Sequence, residues 1–282
     1  MTRHPHPLLY LDLLRSALRE DLGGSGDLTT DAIVPEGEEA TAELVSRGSG
    51  RIAGIRIALD TLRLLDPQLD TEAHVDDGSD VESGTTVARL SGQARAILSG
   101  ERVALNLLGR LSGIATAARD AAAEAAKHGA VIAGTRKTTP GLRLLERYAL
   151  RVGGATDHRF GLDDAVLIKD NHVAFAGGLR QAIERAQAGV GHMVKIEAEV
   201  DSLAQLEEAL ELGVDLVLLD NMSLDELRQA VRINDGRATL EASGGIALAN
   251  IAEIAATGVN VLSLGSLTHS VTALDVALDF PK

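Results

Sequence analysis

The sequence predicts an α/β protein: a mixed α+β segment over residues 1–112, then an incomplete parallel α/β barrel over 113–269. Three observations predict it. From about residue 130, short aliphatic runs alternate with helical segments, the signature of a parallel sheet. Nearly every run ends in polar or reactive residues: TRK, KDNH, EAE, DN, ASGG, LGS. A barrel gathers all its strand ends at one mouth, whereas an open sheet concentrates ligands at one switch point. Ahead of residue 113 the pattern changes to mixed strands and helices.

In chain order, YLDLLRSALRED (10–21) reads as an amphipathic helix. ATAELVSRGSGRIAG (40–54) alternates and then breaks at glycines, as antiparallel strands do. IRIALDTLRLL (55–65) is helical. TEAHV and TTVARL flank the turn-rich DDGSDVESG (76–84), and 99–128 is one long helical pattern. The barrel runs are AVIAG (130–134), DAVLIK (164–169), MVKIEAEV (193–200), VDLVLL (214–219), RATLEAS (237–243) and GVNVLSL (258–264). Their length and β-branched content suit buried parallel strands. Between them, SLAQLEEALEL takes Asp201 or Ser202 as N-cap and stops at Gly213. SLDELRQAVRI has Ser223 as N-cap with Glu226 three residues on, a capping box. ALANIAEIAATG ends at Gly258. Residues 270–282 are expected to pack back on the first domain.

Composition narrows the function. A 45% hydrophobic chain of 282 residues can bury a large core. With no cysteine there is no disulfide, thiolate metal site or cysteine nucleophile. The start lacks the pattern of a secretory signal, and no apolar run nears the ~20 residues that span a bilayer. A cytoplasmic protein without a membrane partner is expected. A formal charge of −14 and only five aromatics, Tyr10, Tyr148, Phe160, Phe175 and Phe280, argue against nucleic-acid partners.

Against that acidity, cations crowd residues 134–172. Arg136 and Lys137 follow one strand, Lys169 ends another, and His158 and Arg159 sit in the glycine-rich loop between. Such a cluster is unfavourable unless an anionic ligand neutralises it. Within a low-dielectric mouth it overrides the far field, which salt screens beyond roughly 8–10 Å. Arg143, Arg147 and Arg151 step by four on a helix, and an exposed stripe is expected for Arg147 and Arg151. SGGI (243–246) and LGS (264–266) offer backbone N–H groups to a phosphate on successive late strands. Glu197 and Glu199 share a strand face, and Asp220 ends the next strand. Glu199 and Asp220 read as functional; for Glu197 a site role and structural neutralisation both stand. His4 and His6 fall in a proline-rich terminus expected to be disordered.

The segments SGERVALNLLGRLSGIAT (99–116), GTRKTTPGLRLLERYAL (134–150), HRFGLDDAVLIKDNH (158–172), LLDNMS (218–223) and EASGGI (241–246) resemble quinolinate phosphoribosyltransferases, as does EDLGGSGDLTTDAIVP (20–35). The resemblance implies an N-terminal α/β sandwich domain before the barrel. It implies transfer of phosphoribose from phosphoribosyl pyrophosphate to quinolinate with loss of pyrophosphate and carbon dioxide, giving nicotinate mononucleotide for NAD synthesis. It implies Mg²⁺ as cofactor, and a homodimer or dimer-based oligomer with shared active sites. Carried over by position, Arg102 reaches the partner's quinolinate, and Arg136, His158 and Arg159 bind its carboxylates. Lys137 and Lys169 serve the anionic groups of both substrates. Glu199 and Asp220 face the ribose and its Mg²⁺, and Ser243, Gly244, Gly245 and Gly265 cradle the 5′-phosphate. Lys137, Lys169, Glu199 and Asp220 are the expected catalytic groups. Gly109 departs from the pattern, standing where a longer polar residue is expected.

The nearest alternative is a related phosphoribosyltransferase or the molybdenum-transport paralogue of the same fold. RKTTPGLR and HRFGLDD favour the quinolinate enzyme. A Schiff-base aldolase using Lys169 or Lys195 and a non-catalytic phosphate-ligand protein are more distant rivals.

Overall fold

A computed structural model describes residues 3–281, which fall into two compact units. The first holds the described residues up to Arg119, with Thr139–Gly153 and the tail from Thr268. The second holds Asp120–Thr138 and Gly154–Leu267. The first unit therefore takes in a helical segment from the middle of the region that the sequence assigns to the barrel.

In the first unit, helices α1 (Leu11–Leu22) and α2 (Leu28–Ile33) precede strands β1 (Glu39–Ser46) and β2 (Gly50–Arg51). Helix α3 (Ile55–Arg63) follows, then β3 (Asp70–Ala73), β4 (Asp80–Val81), β5 (Thr86–Gln93) and the long α4 (Ala94–Ala126), which leaves the unit after Arg119. β1 pairs antiparallel with β5 and, on its other side, with the C-terminal strand Val276–Asp279; β3 extends the far edge of β5. β2 and β4 form a separate antiparallel pair. α3 buries Ile55, Ala58, Leu59 and Leu62 at 3.6-residue spacing against Leu44, Leu90, Ile97 and Leu108. Each buried leucine or isoleucine among them contributes about 1.5–3 kcal/mol by leaving water. The carboxylate of Asp77 caps α3 from a distant turn, accepting from the amides of Gly54 at 2.9 Å and Ile55 at 3.0 Å.

Against the expectation of disorder, His4 and His6 make defined contacts. The His4 ring packs edge-on to Tyr10 and Tyr148, with centroids 6.0 and 5.1 Å away. His6 caps the 3₁₀ turn Pro7–Leu9. The arginine stripe is also corrected. On α5 (Arg143–Gly153), Arg147 is fully buried. A step of four says that residues share a face; it does not say whether that face meets solvent.

The second unit is a seven-stranded, wholly parallel sheet. Its strands are β6 (Val131–Gly134), β7 (Thr156–Asp157), β8 (Val166–Ile168), β9 (Ile196–Val200), β10 (Leu216–Asp220), β11 (Thr239–Ser243) and β12 (Val261–Leu264). Their spatial order is β7-β6-β12-β11-β10-β9-β8. β7 and β8 are consecutive in the chain yet form opposite edges, so the sheet curls into a barrel left open between them. Helices α6 (Asp170–Ala176), α7 (Leu179–Gly189), α8 (Leu203–Glu211), α9 (Leu224–Asn234) and α10 (Ile251–Ala255) make the crossovers. Ser223 and Glu226 form the expected capping box on α9. Registers pair Leu218 with Glu199 and with Glu241, Asp220 with Ser243, and Leu264 with Gly134. The carboxyl ends of the strands are thereby level with one another. Among the described residues no helix is long and apolar enough to cross a membrane.

Candidate active site

Level strand ends place the predicted residues that follow or end the strands of the second unit on one rim. Arg136, half-buried, and Lys137, exposed, follow β6. Lys169 follows β8, and its Nζ donates to Glu199 Oε2 at 2.7 Å. That lysine is nearly half exposed, so the pair is held by geometry more than by a large Coulombic gain. Asp220 ends β10, its Oδ2 accepting from Asn221 Nδ2 at 2.8 Å.

The guanidinium of Arg159 donates through Nη1 to the Ala165 carbonyl at 3.0 Å. Its pKa is lowered, first by burial and then by the charge of Arg136, while Glu197 opposes the shift. Two arginines from separate loops are thus close enough to repel, and Arg136 Nε is buried without a hydrogen-bond partner. Bringing like charges together in a partly dry place is costly, and an anionic ligand relieves the cost.

The glycine loop is shaped for backbone donors. Gly244 and Gly245 have φ of 92° and 62°, the left-handed region. Asn221, itself at φ 53°, lays its side chain where a Cβ on Gly244 would stand. Asn250 clamps the loop: its Nδ2 donates to Gly245 O at 3.1 Å and its Oδ1 accepts from Ala247 N at 2.8 Å. The helical pattern after SGGI resolves into a 3₁₀ turn, Leu248–Asn250, and the single short α10. With no long helix behind it, the loop offers the N–H groups of the turn itself rather than a helix N-terminus. Gly265 follows β12, next along the sheet from β11.

His158 lies lower. Its Nε2 is 2.9 Å from Glu197 Oε2 and 3.7 Å from Glu241 Oε1, and its Nδ1 accepts the Arg159 backbone N–H at 2.7 Å. Burial, reinforced by the Glu197 charge, pushes the Glu241 carboxyl up to about 7; His158 and a hydrogen bond with Ser263 pull the other way. Arg102 belongs to the first unit, on α4, with its side chain 65% exposed and Glu101 at 3.4 Å.

Two family models span this chain. One, described as quinolinate phosphoribosyl transferase, N-terminal domain, matches residues 27–112; the other, the C-terminal domain of the same enzyme, matches residues 114–279. The chain belongs to the quinolinate phosphoribosyltransferase family. Among its relatives, the probable nicotinate-nucleotide pyrophosphorylase [carboxylating] of Bacillus subtilis (strain 168) is 45% identical over 267 residues, covering 95% of this chain and 92% of that one. The nicotinate-nucleotide pyrophosphorylase [carboxylating] of Mycobacterium leprae (strain TN) is 43% identical over 276 residues, covering 95% and 96%. The crystal structure of NadC from Streptococcus pyogenes superposes with a TM-score of 0.95 at 38% identity, covering 99% of this chain and 100% of that one. This quinolinate phosphoribosyltransferase family member thus has the incomplete barrel and the mixed N-terminal domain together.

Sequence reasoning missed Glu241, Asn221 and Asn250. For Glu241 a signal was present. It lies two residues before Ser243 on an otherwise apolar run, so strand alternation puts its carboxylate on the same face as that serine. Asn221 and Asn250 act through backbone shape, which residue type alone does not reveal.

Proposed function

We propose that this chain transfers the phosphoribosyl group of phosphoribosyl pyrophosphate to quinolinate with decarboxylation, yielding nicotinate mononucleotide, pyrophosphate and carbon dioxide. The observation that carries this reading is the crowding of Arg136 and Arg159 on the same rim as Glu199, Asp220 and the Gly244–Gly245 turn. Two anionic substrates that repel each other need such a floor.

Arg136 and Arg159 take the two carboxylates of quinolinate, with His158 one step behind Arg159. The ring nitrogen is thereby aimed at C1′ of the ribose. Ser243, Gly244, Gly245 and Gly265 hold the 5′-phosphate. Lys137 and Lys169 balance pyrophosphate and carboxylate charge, and the Lys169–Glu199 pair keeps both side chains at the rim. As the C1′–oxygen bond to pyrophosphate breaks, the sugar gains oxocarbenium character, which Glu199 and Asp220 stabilise. The quinolinate nitrogen supplies the electron pair of the new C1′–N bond. Ribosylation makes the ring cationic. When the bond to the adjacent carboxylate breaks, its electron pair stays on the ring carbon as an ylide, and a proton then takes its place. Holding the reactants in line accounts for much of the rate: effective molarities of about 10⁵ M and above are attainable.

Mg²⁺ fits Glu199 and Asp220 by donor chemistry. Both are hard oxygen donors near the ends of adjacent strands, and Mg²⁺ commonly takes one or two carboxylates together with substrate phosphates. When bound, it supplies positive charge to the leaving pyrophosphate. The working form in this reading is a homodimer or dimer-based oligomer, with Arg102 serving the partner's site. We place the reaction in the cytoplasm.

The test is parallel assay with quinolinate and nicotinate as acceptors. Quinolinate should be consumed with one carbon dioxide and one pyrophosphate released per nicotinate mononucleotide. Turnover of nicotinate without carbon dioxide, and none of quinolinate, would establish the related phosphoribosyltransferase instead.

A further inference from the structure

Two buried carboxylates are not used by that chemistry. Glu197 precedes Glu199 by two residues on β9, and Glu241 precedes Ser243 by two on β11. Strand alternation puts each one layer below a group assigned to the phosphoribosyl donor. Only 5% and 3% of their surfaces are exposed, and each has one oxygen with no hydrogen-bond partner. Burying carboxylates this way is costly, so their retention calls for a return elsewhere.

Both point at a residue of the other substrate's group. His158, Glu197 and Glu241 bring their donor atoms within 4.8 Å of one another. The imidazole is engaged on both sides, with Nε2 toward Glu197 and Nδ1 accepting the Arg159 amide. Because Nδ1 accepts, the ring proton resides on Nε2 and is donated downward. The ring is therefore a strut between a carboxylate floor and the backbone of Arg159, whose guanidinium also feels the Glu197 charge.

We propose that Glu197 and Glu241 are positioning residues for quinolinate: through His158 they fix Arg159 and so set affinity for the pyridine dicarboxylate. This rests on the functional reading above. It makes a counter-intuitive claim, because both glutamates lie on strands whose ends serve phosphoribosyl pyrophosphate. Damage to the strands would weaken that donor; loss of the strut would weaken quinolinate.

The experiment compares Glu197→Gln and Glu241→Met with the unaltered chain. Each substrate's KM is measured at saturation of the other, and the His158 tautomer is read by ¹⁵N NMR, assigned with His158→Gln. Glu197→Gln should raise the quinolinate KM at least tenfold, leave the donor KM within twofold, and shift His158 out of its Nε2–H form. Glu241→Met should do the same to a smaller extent. Equal losses for both substrates, an unchanged tautomer, or a stoichiometric metal ion lost in either variant would overturn the proposal. A chain that turns over no quinolinate would overturn the functional reading, whereas the tautomer measurement tests the strut without any turnover.

Discussion

Gly244 shows how much one residue can carry. It sits at φ 92°, and Asn221 fills the place of its missing side chain. Gly244→Ala must strain the backbone, by about 1–3 kcal/mol, and displace Asn221 from Asp220. The phosphate turn and the ribose carboxylate should fail together. The donor KM is expected to rise at least tenfold with the quinolinate KM nearly unchanged, as initial-rate kinetics would show. Glu241 gives a pH signature. Burial beside Glu197 raises its folded pKa to about 7, above the ordinary carboxyl value of 4.5. Between those values the folded state holds the proton and the unfolded chain does not, so wild-type stability falls as pH rises through that window. Glu241→Gln lacks this ionisation. Thermal melts should show the variant gaining on wild type by about 2 kcal/mol from pH 5 to 8; parallel curves would contradict the assignment. Residue types announced much of this rim, since cations after β6 and β8 and glycines after β11 have few other uses. They could not announce Arg147, buried where a stripe of arginines suggests solvent.

At the scale of elements, Gly109 explains itself. The C-terminal segment runs across α4, with Leu274 N donating to the Gly109 carbonyl at 2.9 Å. A Cβ on Gly109 would stand 2.7 Å from Leu274 O, and one on Gly113 would collide with Thr272 O. The two glycines, four apart, form a shallow track that lets the tail reach β1 as an edge strand. Gly109→Gln, which restores the longer polar residue expected there, should cost about 1–3 kcal/mol by overpacking. A drop in Tm measures it, and an unchanged Tm would mean that the tail moves aside freely. The sequence showed the glycine as an oddity and offered no reason, because the reason lies some 165 residues downstream. Six barrel strands were legible because each is a run of aliphatic residues long enough to show its character. β7 was not, since two exposed residues, Thr156 and Asp157, carry no periodicity. Thr139–Gly153 follows a barrel strand in the chain but makes its contacts with the first unit.

For the whole molecule, the open question is how many chains build one site. Arg102 is the single predicted ligand outside the second unit, and its guanidinium is largely exposed. A side chain placed so can serve a neighbouring copy, and closed twofold symmetry would make the exchange mutual. Arg102→Ala and Arg136→Ala should each abolish most activity as homodimers. If every site draws Arg102 from the partner, a mixed dimer holds one site lacking both arginines and one intact site. Random exchange makes half of the dimers mixed, so mixing equal amounts should restore about a quarter of wild-type activity under twofold symmetry. If Arg102 served its own chain, each site in a mixed dimer would lack one arginine and no activity would return. The recovered rate, measured after subunit exchange in mild denaturant and followed by native mass spectrometry, separates the two arrangements.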